Sequence, residues 1–251
     1  MQPFFHGLTQ PLRALGLLAR NRQLWPFVLW PLLINIVLGV VLYAGLLAGG
    51  LAAVERSTAA WPPEFVAFEW LLRLLLVLVL LVVIGFVLVR FGVILGSPFY
   101  GRMAEEIEEL AGVRARPQVV PGVAGVLGDL GRALRFEFKK LVIVIPVSLL
   151  LLFGNIIPFA GQAVGVAGGV ALGTLIACLD FFDGYLDRRR LRFREKLATI
   201  RTLGPTALGF GLVCFALVSI PLINLLAVPL CVAAGTMLLA ERRVAQQAAG
   251  E

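Results

Sequence analysis

The sequence has 251 residues, 60% of them hydrophobic and 15% charged, with a formal net charge of +7 and a mean hydropathy of +0.95. A soluble domain carries roughly 45–50% apolar and about 25% charged residues, so these values exclude an ordinary water-soluble fold. The apolar excess lies in long runs rather than alternating strands, which excludes a transmembrane barrel and leaves membrane helices, the other way to satisfy backbone groups in hydrocarbon.

The first apolar run covers about residues 32–51, LLINIVLGVVLYAGLLAGGL. Twenty helical residues reach about 30 Å, the thickness of the hydrocarbon core. The run is too long for a signal-peptide core of about 7–15 residues and is expected to be a retained span. Trp25 and Trp30 precede it, at the level where indoles favour the interface. A short loop with Pro62 and Pro63 leads to a second span at about 71–95, with Arg73 and Arg90 near its ends, placed to snorkel to the two interfaces.

A polar stretch of about 97–140 follows. Ser97-Pro98 has the form of a helix start, and the expected helix carries Glu105, Glu106, Glu108 and Glu109 before a stop at Gly112. These carboxylates, facing many arginines, are expected to form a salt-bridge lattice between amphipathic helices. A second amphipathic stretch, 123–140, ends in Arg132, Arg135, Lys139 and Lys140.

Proline interrupts the remaining apolar segments. Residues 141–157 contain Pro146 and stop at Pro158, and 161–179 follow after a few residues. Residues 208–220 stop at Pro221, and 225–240 contain Pro229. Thirteen helical residues reach only about 20 Å, so two hairpins at about 141–179 and 208–240 are expected to enter the bilayer and return. Irregular backbone at such a tip is tolerable only when buried in protein or facing a water-filled cavity. Ile157-Pro158-Phe159 and Ile220-Pro221-Leu222 hint at an internal repeat. The intramembrane amides Asn35, Asn155, Gln162 and Asn224 either line a polar path or cap carbonyls that the breaks expose. Gly161, Gly165, Gly169 and Gly173 form a stripe at intervals of four, suited to close packing within the hairpin or between subunits. Cys178, Cys214 and Cys231 lie in apolar runs without a CxxC pair and read as small buried hydrophobes.

Charge sets the sides. Only Arg56 and Arg73 of the 22 basic residues lie on or beside the far face of the first two spans. Placing the arginines of the 188–194 cluster in hydrocarbon would cost roughly 2.5–3.5 kcal/mol each, so 97–140 and 180–205 are expected to be cytoplasmic, with both termini on that side. Lipid headgroups explain the 188–194 cluster, and anion collection is the alternative. The basic residues flank apolar segments, so nucleic acid is not expected as a partner. His6 is the sole histidine, and no phosphate loop, HExxH or calcium-loop motif occurs, so neither an enzyme nor a cofactor is expected.

Several stretches carry a resemblance across most of the chain. They are Pro31-Leu-Leu-Ile-Asn35, Ser97-Pro-Phe-Tyr-Gly-Arg-Met-Ala-Glu105, Glu137-Phe-Lys-Lys140 and Ile157-Pro-Phe-Ala-Gly-Gln162. Further on come Leu179-Asp180, Phe193-Arg-Glu-Lys196, Ile220-Pro-Leu-Ile-Asn224 and Val232-Ala-Ala-Gly-Thr236. In their order and spacing the sequence resembles the EI24/CysZ family of sulfate permeases. The resemblance implies a single all-α membrane domain over 1–251, with two long transmembrane helices, two Pro-broken hemi-penetrating hairpins and amphipathic cytoplasmic helices. It further implies an inner-membrane homo-oligomer that takes up sulfate or a similar small anion without hydrolysing ATP. The family's anion site resembles a Gly-Leu/Ile-Arg motif before the first span, where this sequence has Gln23-Leu24-Trp25-Pro26. Arg20 and Arg22, with Gln23 and Leu24, are the candidates that remain for anion binding. A non-transporting membrane scaffold or stress-associated protein of the EI24 type is the alternative.

Overall fold

The computed structural model describes residues 2–113, 123–157, 160–220 and 223–248, with side chains omitted at 86, 88–95, 97–98, 123–130 and 133. Eight α-helices make up nearly all of this: α1 Gln2–Arg20, α2 Trp25–Thr58, α3 Val66–Leu110, α4 Val123–Gly154, α5 Ala160–Arg188, α6 Phe193–Leu203, α7 Pro205–Val218 and α8 Ile223–Ala248. No strand occurs among the described residues, and the protein is an all-α membrane protein. Helices 22–58, 63–85, 160–188 and 223–248 are each long and apolar enough to cross a bilayer.

α2 and α3 form an antiparallel pair joined by the Pro62-Pro63 turn. Gly50 of α2 faces the Leu76 side chain, while Trp30 and Phe99 line one pocket near the other end. At 34 and 45 residues the pair reaches about 51 and 68 Å, so both helices project well past a core of about 30 Å. Their outer faces hold exposed Val40, Val41, Leu78, Leu81 and Val82. That much apolar surface is what a helix pair within a membrane presents.

Two expected boundaries differ from the structure. Residues 97–98 do not begin a helix, because α3 runs unbroken through them to Leu110; a membrane helix can carry an internal proline when local adjustments re-satisfy the freed carbonyl. It ends where expected, at Gly112, whose φ of +73° closes a Schellman turn. The Val113 and Gly112 N–H groups donate to the Glu108 and Glu109 carbonyls. The amphipathic stretch from Val123 and the apolar run from Leu141 are likewise one helix, α4, which passes through Pro146. Pro229 is also inside a helix, α8. The tip prolines Pro158 and Pro221, and the Arg90 side chain, lie outside the described residues.

α8 is the hub, with Cys231, Ala233, Ala234, Thr236 and Ala240 fully buried. It touches α1, α2, α3, α5 and α7. Its small residues let neighbours approach closely: a Cβ on Gly235 would stand 2.6 Å from the Phe181 carbonyl of α5. α5 and α7 pack on it and run antiparallel to each other, with Phe182 stacked on Phe210 at 4.6 Å and the Cys178 thiol donating to the Ala207 carbonyl. All three cysteines are buried and unbridged.

α1 has no counterpart in the expectations from sequence. Its buried face, Gly7, Gln10, Pro11, Ala14 and Leu18, lies on α7 and α8. A Cβ on Gly7 would stand 2.1 Å from the Thr206 carbonyl, and one on Gly209 would stand 2.2 Å from that of Phe4. The two helices therefore meet backbone to backbone through paired glycines. α6 and α7 then bend by 104° at Gly204, whose φ of +54° with ψ of −125° is open in practice only to glycine.

Candidate functional site

The elbow between α1 and α2 carries the four anion-site candidates. A single 3-10 turn, Arg22–Leu24, connects the helices. Two side chains close the α1 C-terminus: Asn21 Nδ2 donates to the Leu17 carbonyl at 2.8 Å, and Trp25 Nε1 donates to the Leu18 carbonyl at 2.9 Å. The tryptophan satisfies a carbonyl that the helix end leaves unpaired, while the Leu17 carbonyl also accepts from the Asn21 backbone N–H at 3.1 Å. The tryptophan at the place of the motif's arginine is thus a capping side chain. Leu24 is fully buried and anchors the turn, while Arg20, Arg22 and Gln23 are exposed. Neither arginine has a hydrogen bond or ion pair with any described residue.

Beside the elbow, the start of α2 and the far half of α3 form a half-open pocket of about 290 Å³, lined among the described residues by Pro26, Phe27, Trp30, Phe99 and Arg102.

The ends of the helices at this side are tied by buried charge. Glu108 on α3 is fully buried. Its two carboxylate oxygens accept from the Arg189 guanidinium of α5 at 3.3 and 3.0 Å, the two-pronged geometry that suits arginine. Arg188 Nε lies 3.7 Å from the same carboxylate, and Arg188 Nη1 donates to the Gly101 carbonyl. Arg188 Nη2 lies 3.8 Å from Glu105, and Arg189 stacks 3.5 Å over the Tyr185 ring.

A second cluster joins α4, α5 and α6. Lys140 donates to Asp180 at 2.7 Å and to Glu137 at 2.8 Å. Burial works against the Lys140 charge, but the two carboxylates outweigh it and hold its pKa above the ordinary lysine value. Lys196 is buried beneath Asp183 and Asp187, and its ammonium sits 4.5 Å over the Phe136 ring.

The expected salt-bridge lattice therefore exists, built from Glu105 and Glu108 rather than from all four carboxylates. The 188–194 cluster divides in the same way. Arg188 and Arg189 turn into the lattice, which corrects the lipid reading for those two. Arg192 and Arg194 remain exposed, and Arg190 forms the left-handed residue, at φ 53°, of a Schellman turn that ends α5.

The four amides differ in burial and in the elements that carry them. Asn35 is buried on α2, in a stripe with Pro31 and Gly39, and its Oδ1 has no hydrogen-bond partner among the described residues. Asn224 is buried at the start of α8. Asn155 and Gln162 are exposed at the α4–α5 tip. Asn155 Nδ2 donates to the Leu151 carbonyl and packs over Gly165, where a Cβ would stand 2.7 Å from it. Three glycines of the stripe pack within the chain, Gly161 against the Gly154 carbonyl, Gly165 under Asn155 and Gly173 against the Phe215 ring of α7, while Gly169 faces open space. Of these features, the sequence missed the docking of α1 and the cap supplied by Trp25. A hint was available in the small and polar residues at 7, 10, 11 and 14, which repeat at helical spacing.

The family described as "Sulfate transporter CysZ/Etoposide-induced protein 2.4" matches residues 10–229. The chain is 29% identical over 217 residues to a protein of Vibrio cholerae serotype O1 named "Sulfate transporter CysZ", covering 84% of this chain and 83% of the relative. It is 27% identical over 223 residues to a protein of the same name from Vibrio parahaemolyticus serotype O3:K6, covering 87% of this chain and 88% of that one. The elbow, the long α2–α3 pair, α4 to α7 and the charged lattice fall within the matched range, and the chain belongs to the EI24 family of CysZ-type sulfate transporters and etoposide-induced protein 2.4.

Proposed function

We propose that this protein is an inner-membrane permease for sulfate or a similar small inorganic anion, working without ATP hydrolysis and with Arg20 and Arg22 as the residues that receive the anion. The observation that carries the assignment is the elbow: two exposed arginines without partners among the described residues, held at the head of the first span by a capped and buried turn. Guanidinium groups match tetrahedral oxyanions through paired N–H donors. The buried lattice behind them gives the moving anion a fixed rim, since most of its own arginines are already engaged.

The path beyond the rim uses Asn35 and Asn224, whose buried amides supply polar contacts where charge would be too costly. Asn155 and Gln162 stand at the other tip as a second polar ring. The basic end faces the cytoplasm, following the excess of Lys and Arg there, and copies associate through the exposed apolar faces of the hairpins.

Labelled-sulfate uptake into proteoliposomes tests the assignment. Saturable uptake above that of empty liposomes is expected. Replacing Arg20 and Arg22 together by alanine should weaken sulfate binding by tenfold or more, since each charge-assisted hydrogen bond to the anion is worth about 1.5–3 kcal/mol. Wild-type flux no greater than in empty liposomes would favour the scaffold reading, to which Trp25 at the motif's arginine position also lends weight. Uptake that survives the double substitution would move the anion site away from the elbow.

A further inference from the structure

The cavity beside the elbow has a composition unlike that of an ion site. Among the described residues its lining is Pro26, Phe27, Trp30 and Phe99, which are apolar or aromatic, together with Arg102. Arg102 is exposed and has no hydrogen bond or ion pair with any described residue, unlike Arg188 and Arg189 of α5. A hydrated sulfate entering here would exchange its water for one guanidinium and one indole N–H, because Pro26 has no N–H and the side chains of Phe27 and Phe99 offer carbon.

A ligand with an anionic head and an apolar body fits both features. Trp30 lines the cavity, and indoles favour the level of headgroups in a bilayer. From Trp30 the exposed face of α2 continues through Leu33 and Val37, which are 50% and 60% exposed. These residues recur at helical spacing, so they form one stripe leading away from the cavity towards the hydrocarbon. At about 290 Å³ the cavity has room for a phosphate and its glycerol, with the tails remaining in the membrane along that stripe.

We propose that this cavity is a binding site for one anionic phospholipid, with the phosphate held by the Arg102 guanidinium and the glycerol region packed between Trp30 and Phe99. The lipid fills the gap between α2 and α3 next to the elbow and braces the head of the first span. The site is separate from Arg20 and Arg22 and does not depend on what the elbow carries.

Native mass spectrometry of the detergent-solubilised protein, titrated with phosphatidylglycerol and separately with phosphatidylcholine, tests this. Wild-type protein should retain one phosphatidylglycerol more tightly than phosphatidylcholine. Arg102→Gln should weaken that first binding step about tenfold, as removal of one charge-assisted hydrogen bond would. Arg201→Gln, which removes an exposed arginine elsewhere, should leave it unchanged. Trp30→Ala should weaken it as well, because the wall is removed while the charge stays. Circular dichroism and thermal unfolding establish that each variant is folded. Equal retention of the two lipids, or wild-type affinity in Arg102→Gln, would overturn the site. Displacement of the lipid by sulfate, but not by chloride at matched ionic strength, would assign Arg102 to a free oxyanion instead and overturn the lipid reading.

Discussion

Glu108 shows how much a single side chain carries here. It is fully buried and faces two guanidinium groups from the C-terminal end of α5. Desolvating such a set is costly, and the attraction within it offsets that cost only while every partner is present. Glu108→Gln keeps the shape and removes the charge, leaving Arg188 and Arg189 pressed together without this counter-ion. A loss of about 3–5 kcal/mol is expected for breaking a pair of this kind, read as a clear fall in the thermal unfolding temperature in detergent. The combined Glu108→Gln/Arg189→Gln variant should lose less than the sum of the two single changes. Additive losses would mean that the two residues do not act as a pair. Trp25 shows the same economy at the elbow, where one indole N–H closes a helix end at the position where the family resemblance expects a charge.

At the scale of elements, the docking of α1 rests on backbone contact more than on side chains. Gly7 and Gly209 bring the two helices close enough that any Cβ at either position meets a carbonyl oxygen. Gly209→Val should force α1 off α7, since a backbone atom cannot swing aside as a flexible side chain can. Faster proteolytic cleavage after Arg13 or Arg20 in the variant, with α2 and α3 still protected, is the expected result. Unchanged protection would show that α1 is held from its other side, where His6 and Gln10 meet Glu241 of α8.

These elements also show what could be read from the sequence and what could not. The two long spans and the apolar helices after them were legible because lipid-facing helices must be continuously apolar, and that signal is local. The Gly112 stop was legible for the same reason, a glycine at the end of a charged helix. The helix boundaries at 97–98 and 140–141 were not, because serine–proline signals and changes in polarity persist inside a helix that tertiary packing keeps whole. The division of the 188–194 arginines was beyond any local pattern. Arg189 finds its partner 81 residues away, and only the fold brings α3 and α5 together. Among the amides, the sequence could name Asn35, Asn155, Gln162 and Asn224 but could not separate the buried pair from the exposed one.

At the scale of the molecule, the arrangement in the membrane follows from length and charge. α2 and the first half of α3 should cross fully, with the Pro62-Pro63 turn on the far side from the basic end. α7 is different: its 14 residues reach about 21 Å, short of a core of about 30 Å, and it begins at the sharp Gly204 bend. The tip after Ser219 should therefore stop inside the bilayer, and α8 should return to the side from which α7 entered. Single cysteines in a background lacking the three native thiols test this with a membrane-impermeant maleimide on intact cells. Ala60→Cys, in the turn between the long spans, should be labelled from outside. Arg192→Cys, at the basic end, should react only after permeabilisation. Ser219→Cys should resist labelling from outside even though its side chain is exposed on the protein surface, because lipid covers it. Labelling of Ser219→Cys as fast as that of Ala60→Cys would mean that α7 and α8 cross completely. The basic end would keep its side in that case, since two more crossings preserve parity, but the half-depth tip of the α7–α8 hairpin would no longer be available as the constriction in an anion path.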